Sequence, residues 1–365
     1  MRFEDCGLLD YSDEYDMSLS KIDNATHEIG YDSVRFFATL LILIHHFNTT
    51  CSEVAIPFNR TISGFIDRFD MGGVGVGLFF ILSGALQYKK NKERVCVKSY
   101  YGKRLLRIYI PYWIAFLEAL LAVYITDREI LDSITNNKIG TIISVLGLNY
   151  SSAFWTQIGI KPGILLVGEW FTAVIVFLYI LFPLLHWIYK AHRRLGTIII
   201  FLVFGINLKL EILTYFNGYF SITNGIMYFW LGMLFEEHRE AMKPRWGIIS
   251  WVVMVSVYII KPYIFENNYL YCFIMSIVSF VYIYHLEMDF WVSRYICKYS
   301  YEIYLIHHRI FLIFMPMLLN SGSKQSQVFV CFVLLTGLIL LLSEKLQAAS
   351  RFATKVLFPD LFGAS

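Results

Sequence analysis

Long apolar runs separated by short polar loops repeat along most of the chain. A run of about 17–25 apolar residues is long enough to cross the hydrocarbon core of a bilayer as one α-helix. The sequence contains ten such runs, the first two short, at residues 34–50, 73–88, 106–126, 163–189, 196–213, 219–236, 246–262, 270–287, 300–318 and 328–346. The pattern therefore predicts an all-α protein, a polytopic transmembrane helix bundle of about ten spans.

Basic residues are concentrated in the loops that follow even-numbered spans. The loop after the second span, counted up to Arg107 at the start of the third span, carries eight of them, whereas the loops after the fifth and seventh spans carry none. Because cytoplasmic loops hold the excess of Lys and Arg, this asymmetry predicts that both termini are cytoplasmic. The expected domains are a polar cytoplasmic N-terminal segment (1–33), a transmembrane domain (34–346) and a cytoplasmic C-terminal tail (347–365).

Composition agrees with a membrane protein and narrows the range of partners. Hydrophobic residues make up 57% of the chain, charged residues make up 16%, and the mean hydropathy is +0.56, so membrane lipids are expected partners. The net charge of +3 is small, and no nucleic-acid partner is expected. The six cysteines are scattered, without Cys-x-x-Cys pairs or His/Cys clusters, so neither a disulfide framework nor a metal site is expected.

Arg35 and His46 are two ionisable residues within the first apolar run. They stand eleven positions apart, which returns to within roughly 20° of the same helix face about 16 Å further along the axis. Ionisable groups inside a membrane span are costly and usually mark a functional path. We therefore predict an anion-binding group at Arg35 and acid–base chemistry at His46, with His45 about 80° off that stripe. Alternatively, both histidines only form hydrogen bonds within the bundle.

Arg104 and Arg107 lie three positions apart in the segment that leads into the third span. At this spacing they share a helix face at the membrane surface and can bind phosphate groups. Anchoring of the chain by the positive-inside rule explains the same residues equally well.

In the preceding span, the spacing of Gly73 and Gly77 allows two helix backbones to approach closely, and Ser83 follows on the same span.

Polar groups also occur in the fourth and ninth spans. Glu169 enters the fourth span near the depth inferred for His46, where a carboxylate can orient an imidazole and stabilise its charged form. The same carboxylate can equally cap the start of the helix, where negative charge is favoured. In the ninth span, Ser300 and His307 are seven positions apart and share a face, with Tyr304 between them in sequence.

Taken in order, four segments resemble marks of the integral-membrane acyltransferase family of type 3, whose members O-acylate bacterial surface glycans. The first is the pair of Arg35 and His46, and the second is the Gly-rich Phe-Phe-Ile-Leu-Ser-Gly segment at Gly75 to Gly84. The third is Arg-x-x-Arg followed by Pro-Tyr-Trp at Arg104 to Trp113, and the fourth is Ser-Tyr-x-Ile-Tyr-Leu-x-His at Ser300 to His307. The resemblance covers about residues 30–345. The chain departs from the pattern of many family members at residues 168–170 and 173–175. The resemblance therefore assigns no role to Glu169, and its role has to be inferred from the residues around it.

The resemblance implies a membrane O-acyltransferase, foremost an O-acetyltransferase, in the bacterial cytoplasmic (inner) membrane. The implied donor is acetyl-CoA from the cytosol, and the implied acceptor is a hydroxyl of a polysaccharide or a lipid-linked glycan. The catalytic candidates are His46, Arg35 and Glu169. The donor phosphates suit the guanidinium groups of Arg35, Arg104 and Arg107. A sugar hydroxyl needs a base to become a nucleophile, which suits His46. Further site candidates are Ser83, Ser300, Tyr304 and His307.

Two other functional classes also fit a polytopic chain with charges inside its spans. One is a secondary transporter or flippase of the polysaccharide export pathway; transporters commonly show a two-fold internal repeat, and the sequence has none. The other is a membrane scaffold or export subunit without catalysis, which does not need the stripe of Arg35 and His46. The residues leave open whether transfer is direct or passes through an acyl-histidine.

Overall fold

The computed structural model describes residues 28–126, 136–149, 155–156, 158–210, 222–265 and 268–358. Every regular element in these residues is helical, which confirms the predicted all-α class for them. The α-helices are α1 (Ile29–Glu53), α2 (Arg60–Phe69), α3 (Met71–Lys90), α4 (Val97–Thr126), α5 (Lys138–Val145), α6 (Glu169–Leu210), α7 (Ile222–His238), α8 (Arg245–Ile264), α9 (Asn268–Tyr284), α10 (Trp291–Leu318) and α11 (Gln325–Leu357). A 3₁₀ turn at Arg239–Ala241 follows α7.

Each of the ten predicted spans coincides with part of a helix. The predicted spans 163–189 and 196–213 both fall on α6, which is broken at His192, where φ is −142° and ψ is 43°. Five helical stretches are long and apolar enough by themselves to cross a membrane: Arg60–Lys90, Val97–Ile125, Glu169–Leu208, Arg245–Ile264 and Gln325–Leu357. The chain is therefore a multi-pass membrane protein. The count of ten crossings and the cytoplasmic position of both termini stay predictions.

Helices extend beyond the predicted spans at both ends of the bundle. α1 begins at Ile29, before the predicted start of the first span, and α11 continues to Leu357, through most of the predicted tail. The tail segment continues the helix because its polar residues do not break one, and the hydroxyls of Ser350 and Thr354 are satisfied by carbonyls four residues earlier. Residues 1–27 and 359–365 of the predicted terminal segments lie outside the described residues.

Ion pairs fix which helix ends lie together. The carboxylate of Glu28, just before α1, pairs with Lys89 at the end of α3 and with Arg239 after α7 at 2.8 Å. Arg193, just after the break in α6, pairs with Glu237 of α7 at 3.6 Å. We call this end of the bundle the basic end. It corresponds to the side that the loop charges predict to be cytoplasmic.

Helices α1 and α10 lie side by side and run in the same direction. Four contacts at a nearly constant sequence separation show this: Asp32 with Cys297, His46 with His307, Phe47 with Phe311, and Cys51 with Met315. Both helices start at the basic end. The polar stripe of α1 and the polar stripe of α10, far apart in sequence, therefore face one another along the bundle.

Two glycines bring α3 and α7 into backbone contact. A Cβ atom added at Gly84 would overlap the carbonyl oxygen of Phe229, and one added at Gly232 would overlap the carbonyl oxygen of Ile81. Small residues allow membrane helices to approach in this way, because the packing surface is then the backbone itself. α3 is consequently the central helix, with α1 on one side and α7 on the other.

We expect Gly84→Ala to lower the stability of the purified protein by about 1–3 kcal/mol or more, because the two backbones would have to separate. Gly337→Ala on α11 is the matched control, since nothing lies within 4 Å of its added Cβ. Both changes improve helix propensity by a similar amount, so the difference between them reports packing alone. Thermal unfolding of the two variants in detergent measures this difference in stability. Equal midpoints for the two variants would contradict the close contact.

Candidate active site

Four imidazoles meet where α1 and α10 face each other, and we call them the imidazole cluster: His45, His46, His307 and His308. The ring of His46 is central, with its centroid 4.9 Å from that of His307, 5.0 Å from that of His308 and 5.2 Å from that of His45. The structure therefore brings together His46 and His307, two residues that the sequence proposed separately. His45 turns toward the start of α3, where its ring packs on Gly72.

Backbone contacts fix the tautomer of His307. Its Nδ1 atom lies 2.8 Å from the carbonyl oxygen of Tyr304 and 3.0 Å from that of Ile303. Carbonyl oxygens only accept hydrogen bonds, so Nδ1 carries the proton and donates it. The Nε2 atom is then a lone-pair acceptor, and it is buried with no hydrogen-bond partner among the described residues. His307 thus presents a proton acceptor next to the ring of His46.

Tyr304 connects this cluster to the start of α6. Its hydroxyl donates a 2.7 Å hydrogen bond to the carbonyl oxygen of Gly168, and its ring lies 4.6 Å from that of Phe171. Gly168 has a φ of +76°, a conformation that residues with a Cβ rarely adopt, and an added Cβ would also strike the Tyr304 hydroxyl. The predicted site residue Tyr304 therefore positions the turn before α6 against the imidazole cluster.

Glu169 lies fully buried at the first position of α6. Its Oε1 atom accepts a 2.7 Å hydrogen bond from the backbone N–H of Leu166, and its Oε2 atom accepts one of 3.2 Å from Val167. Each carboxylate oxygen therefore holds the turn that leads into the helix. Of the two interpretations that the sequence left open, this geometry favours the role at the helix start over the orientation of His46.

The three predicted phosphate-binding residues come together on the side of the cluster nearer the basic end. Arg104 and Arg35 are the cations close to Arg107, and the carboxylate of Glu302 on α10 is the anion close to it. We call the three guanidinium groups the arginine cluster. Arg104 also lies over the ring of Tyr179, with its Cζ atom 5.5 Å from the ring centroid. Three cations against two carboxylates, Glu302 near Arg107 and Asp32 paired with Arg35, leave this region with a net positive charge.

All three residues of the arginine cluster lie more than one turn inside their helices. α4 begins at Val97, so Arg104 and Arg107 are about 10–15 Å into the helix. Arg35 is about 9 Å into α1, where it pairs with Asp32 at 3.0 Å. Arg107 is exposed, so its guanidinium group is accessible to a ligand.

On both α1 and α10, the position beside the arginine cluster comes before the imidazoles along the helix. On α1, His46 follows Arg35 by about 16 Å along the axis. On α10, His307 follows Glu302, the neighbour of Arg107, by about 7.5 Å. A ligand that reaches from the arginine cluster to the imidazole cluster has to be elongated, with negative charge at one end.

Ser83 and Ser300 are less directly connected to this arrangement. Both side chains are half-buried, Ser83 on α3 and Ser300 on α10. Ser300 is about 10 Å before His307 along the helix axis. Within the described residues no hydrogen bond joins either serine to an imidazole. Their roles stay predictions.

The described residues contain no group of three or more His, Cys, Asp or Glu side chains arranged to hold a metal ion. Neutral imidazoles in contact can accept, hold and pass protons. The chemistry available here is acid–base chemistry beside an anion-binding group.

The sequence pattern of an acyltransferase domain, the type 3 family, matches residues 28–344. The chain belongs to the acyltransferase-3 family. This confirms the resemblance and makes the protein a membrane acyltransferase. The searches against curated proteins and against solved structures gave no match. Both clusters of this acyltransferase lie inside the matched residues.

Sequence reasoning missed three members of the candidate site. His45 and His308 were not assigned to it, although they are adjacent in sequence to His46 and His307, which were. A His-His pair on each of two spans is a signal that could have indicated them. Glu302 was not among the predicted site residues. Its proximity to Arg107 depends on the packing of α10 near α4, which no local pattern predicts.

We expect Glu169→Gln to lower the free energy of unfolding by about 1–3 kcal/mol, because an amide offers one acceptor oxygen for two backbone N–H groups. The pH profile of the remaining activity should not move. Thermal unfolding and initial rates between about pH 5 and 9, normalised to folded protein, measure both effects. A profile whose acidic limb moves to lower pH, with stability unchanged, would instead place the carboxylate against His46.

Proposed function

We propose that the protein transfers an acyl group, foremost acetyl, from cytosolic acyl-CoA to a hydroxyl of a cell-surface polysaccharide or its lipid-linked precursor. Its expected location is the bacterial cytoplasmic membrane. The observation that carries the proposal is the position of the arginine cluster, from α1 and α4, on the basic-end side of the imidazole cluster, which α1 and α10 form. An elongated, phosphate-bearing thioester suits this arrangement, with its phosphates toward the basic end.

The arginine cluster is the proposed holder of the donor. Coenzyme A bears several phosphates, and guanidinium groups bind phosphate with charge-assisted hydrogen bonds. Arg104 and Arg107 come from α4 and Arg35 comes from α1, so the donor would contact two helices at once. Glu302 and Asp32 partly balance the three positive charges when the donor is absent.

The imidazole cluster is the proposed base. The Nε2 atom of His307 can only accept a hydrogen bond, and the proposed donor to it is an N–H of His46. The other ring nitrogen of His46 then carries a lone pair directed toward the substrate. That nitrogen removes the proton from the acceptor hydroxyl as its oxygen attacks the thioester carbonyl. The tetrahedral intermediate then expels coenzyme A as a thiolate, and the proton held by the imidazole protonates the sulfur. One C–O bond forms and one C–S bond breaks.

Incorporation of label tests the proposed function. Membranes that contain the protein should transfer the labelled acetyl group of acetyl-CoA to a glycan fraction, and mild alkali should release it as acetate, as expected for an ester. Membranes with the His46→Ala protein, at matched amounts, should not. Glycan export that depends on the protein, without incorporation of label, would favour the transporter or flippase alternative.

A further inference from the structure

A cavity of about 480 Å³ opens at the basic end, away from both clusters. It is formed where α3 ends, where α6 breaks and where α7 ends. Its lining is mainly basic and aromatic: Tyr88, Tyr189, Lys190, Ala191, His192, Arg193, Arg194, Leu195 and Glu237. The proposed acyl transfer does not use any of these residues.

The single carboxylate of this lining is already engaged. Glu237 accepts a 2.6 Å hydrogen bond from the hydroxyl of Tyr88 and pairs with Arg193. Lys190 extends over the ring of Tyr88, with its Nζ atom 5.5 Å from the centroid. Arg194 is exposed and makes no ion pair with any described residue. The cavity therefore keeps cationic groups that its own carboxylate does not neutralise.

The break in α6 places the end of one helical segment and the start of another in the cavity wall. The backbone at His192 is not helical, so one segment ends before it and the other begins after it. Residues 189–191 and 193–195 of the two segments both belong to the lining, so their opposite helix-end charges offset each other. The positive charge of the cavity therefore comes from its side chains, which favour a ligand with a compact negative charge.

The rim of the cavity is apolar and exposed. Leu195, which belongs to the lining, has 57% of its surface exposed, and Trp187 has 48% exposed with its ring 6.1 Å from that of His192. A membrane protein exposes such side chains to lipid chains, and tryptophan favours the membrane interface. A ligand in this cavity would place its charge among cations and any attached chain along these residues.

We propose that this cavity binds the phosphate group of an anionic lipid in the leaflet at the basic end. Basic pockets between membrane helices on the cytoplasmic side are suited to such headgroups. The cavity is separate from the proposed donor site, because Tyr179, which lies under Arg104, is eleven residues before Lys190, or about 16 Å along α6. The inference does not depend on the acyl-transfer proposal.

Lipid-dependent stabilisation of the full-length protein tests this inference. The protein purified in neutral detergent is titrated with phosphatidylglycerol or with phosphatidylcholine of the same acyl chains, and the thermal midpoint is followed. We expect phosphatidylglycerol to raise the midpoint in a saturable way and phosphatidylcholine to have little effect. Lys190→Gln/Arg194→Gln leaves the pair of Arg193 and Glu237 intact and should weaken the lipid affinity at least about tenfold.

Lys243→Gln/Arg245→Gln is the matched control, with the same charge change in exposed residues of another basic loop. It should keep the affinity of the wild type. Equal loss in both variants, or no shift of the wild type with phosphatidylglycerol, would overturn the site. The same titration with inorganic phosphate and with adenosine 3′,5′-bisphosphate distinguishes the source of the phosphate. A shift by either soluble ligand as large as that by the lipid would overturn the assignment to lipid. Midpoints measured without lipid establish that both variants are folded.

Discussion

Replacing His46 with alanine should abolish acyl transfer, with a loss of about 10²–10⁴-fold or more, while expression and membrane insertion stay normal. The change removes the proposed base, which contributes on this scale in acid–base catalysis. It removes little apolar surface, so the bundle should still fold. Initial rates of transfer from labelled acetyl-CoA, normalised to folded protein, measure the effect.

His45→Ala is the control for this prediction. The two histidines are neighbours of the same type, but the ring of His45 packs on Gly72 rather than between the imidazoles of α10. Its replacement should therefore cost less activity. An inactive His45→Ala protein beside an active His46→Ala protein would refute the assignment of the base.

The double variant Arg104→Ala/Arg107→Ala should raise the concentration of acyl-CoA needed for half-maximal rate by at least about 100-fold. Two charge-assisted phosphate contacts are lost, each worth on the order of 1.5–3 kcal/mol. The dependence on acceptor concentration should change little, because the proposed role of these two residues is confined to the donor. Kinetics with one substrate varied at a time separate the two effects.

Arg94→Ala/Lys98→Ala serves as the control for topology. Both residues are exposed and belong to the same basic segment, close to the start of α4. They contribute equally to the positive-inside signal but lie outside the arginine cluster. If both double variants change donor dependence by the same amount, the paired arginines act only as a topology signal.

Apolar periodicity predicted most of the helical content, because each span is long and its signal is local. It failed at the helix ends. The predicted third span begins at residue 106, whereas α4 already begins at Val97 and includes the basic residues before that span. The polar start of this helix does not raise the hydropathy, so the position of Arg104 and Arg107 well inside α4 could not be derived from the pattern.

The site was predicted in pieces. The spacing of Arg35 and His46, and that of Ser300 and His307, each indicated one polar helix face. Their meeting depends on the parallel packing of α1 with α10, which joins residues at opposite ends of the chain. Local patterns carry no information on such pairing. The tautomer of His307 was also inaccessible, because it depends on the distances from its Nδ1 atom to two backbone carbonyls.

The most direct test of the account compares the transfer rates of His46→Ala, His307→Ala and the double variant in the purified protein. Groups that act as one unit lose activity once, so the double variant should be no slower than the slower single variant. Both single variants should fall at least about 100-fold. Near-normal transfer by either single variant, or losses that multiply in the double variant, would contradict a shared imidazole centre between α1 and α10.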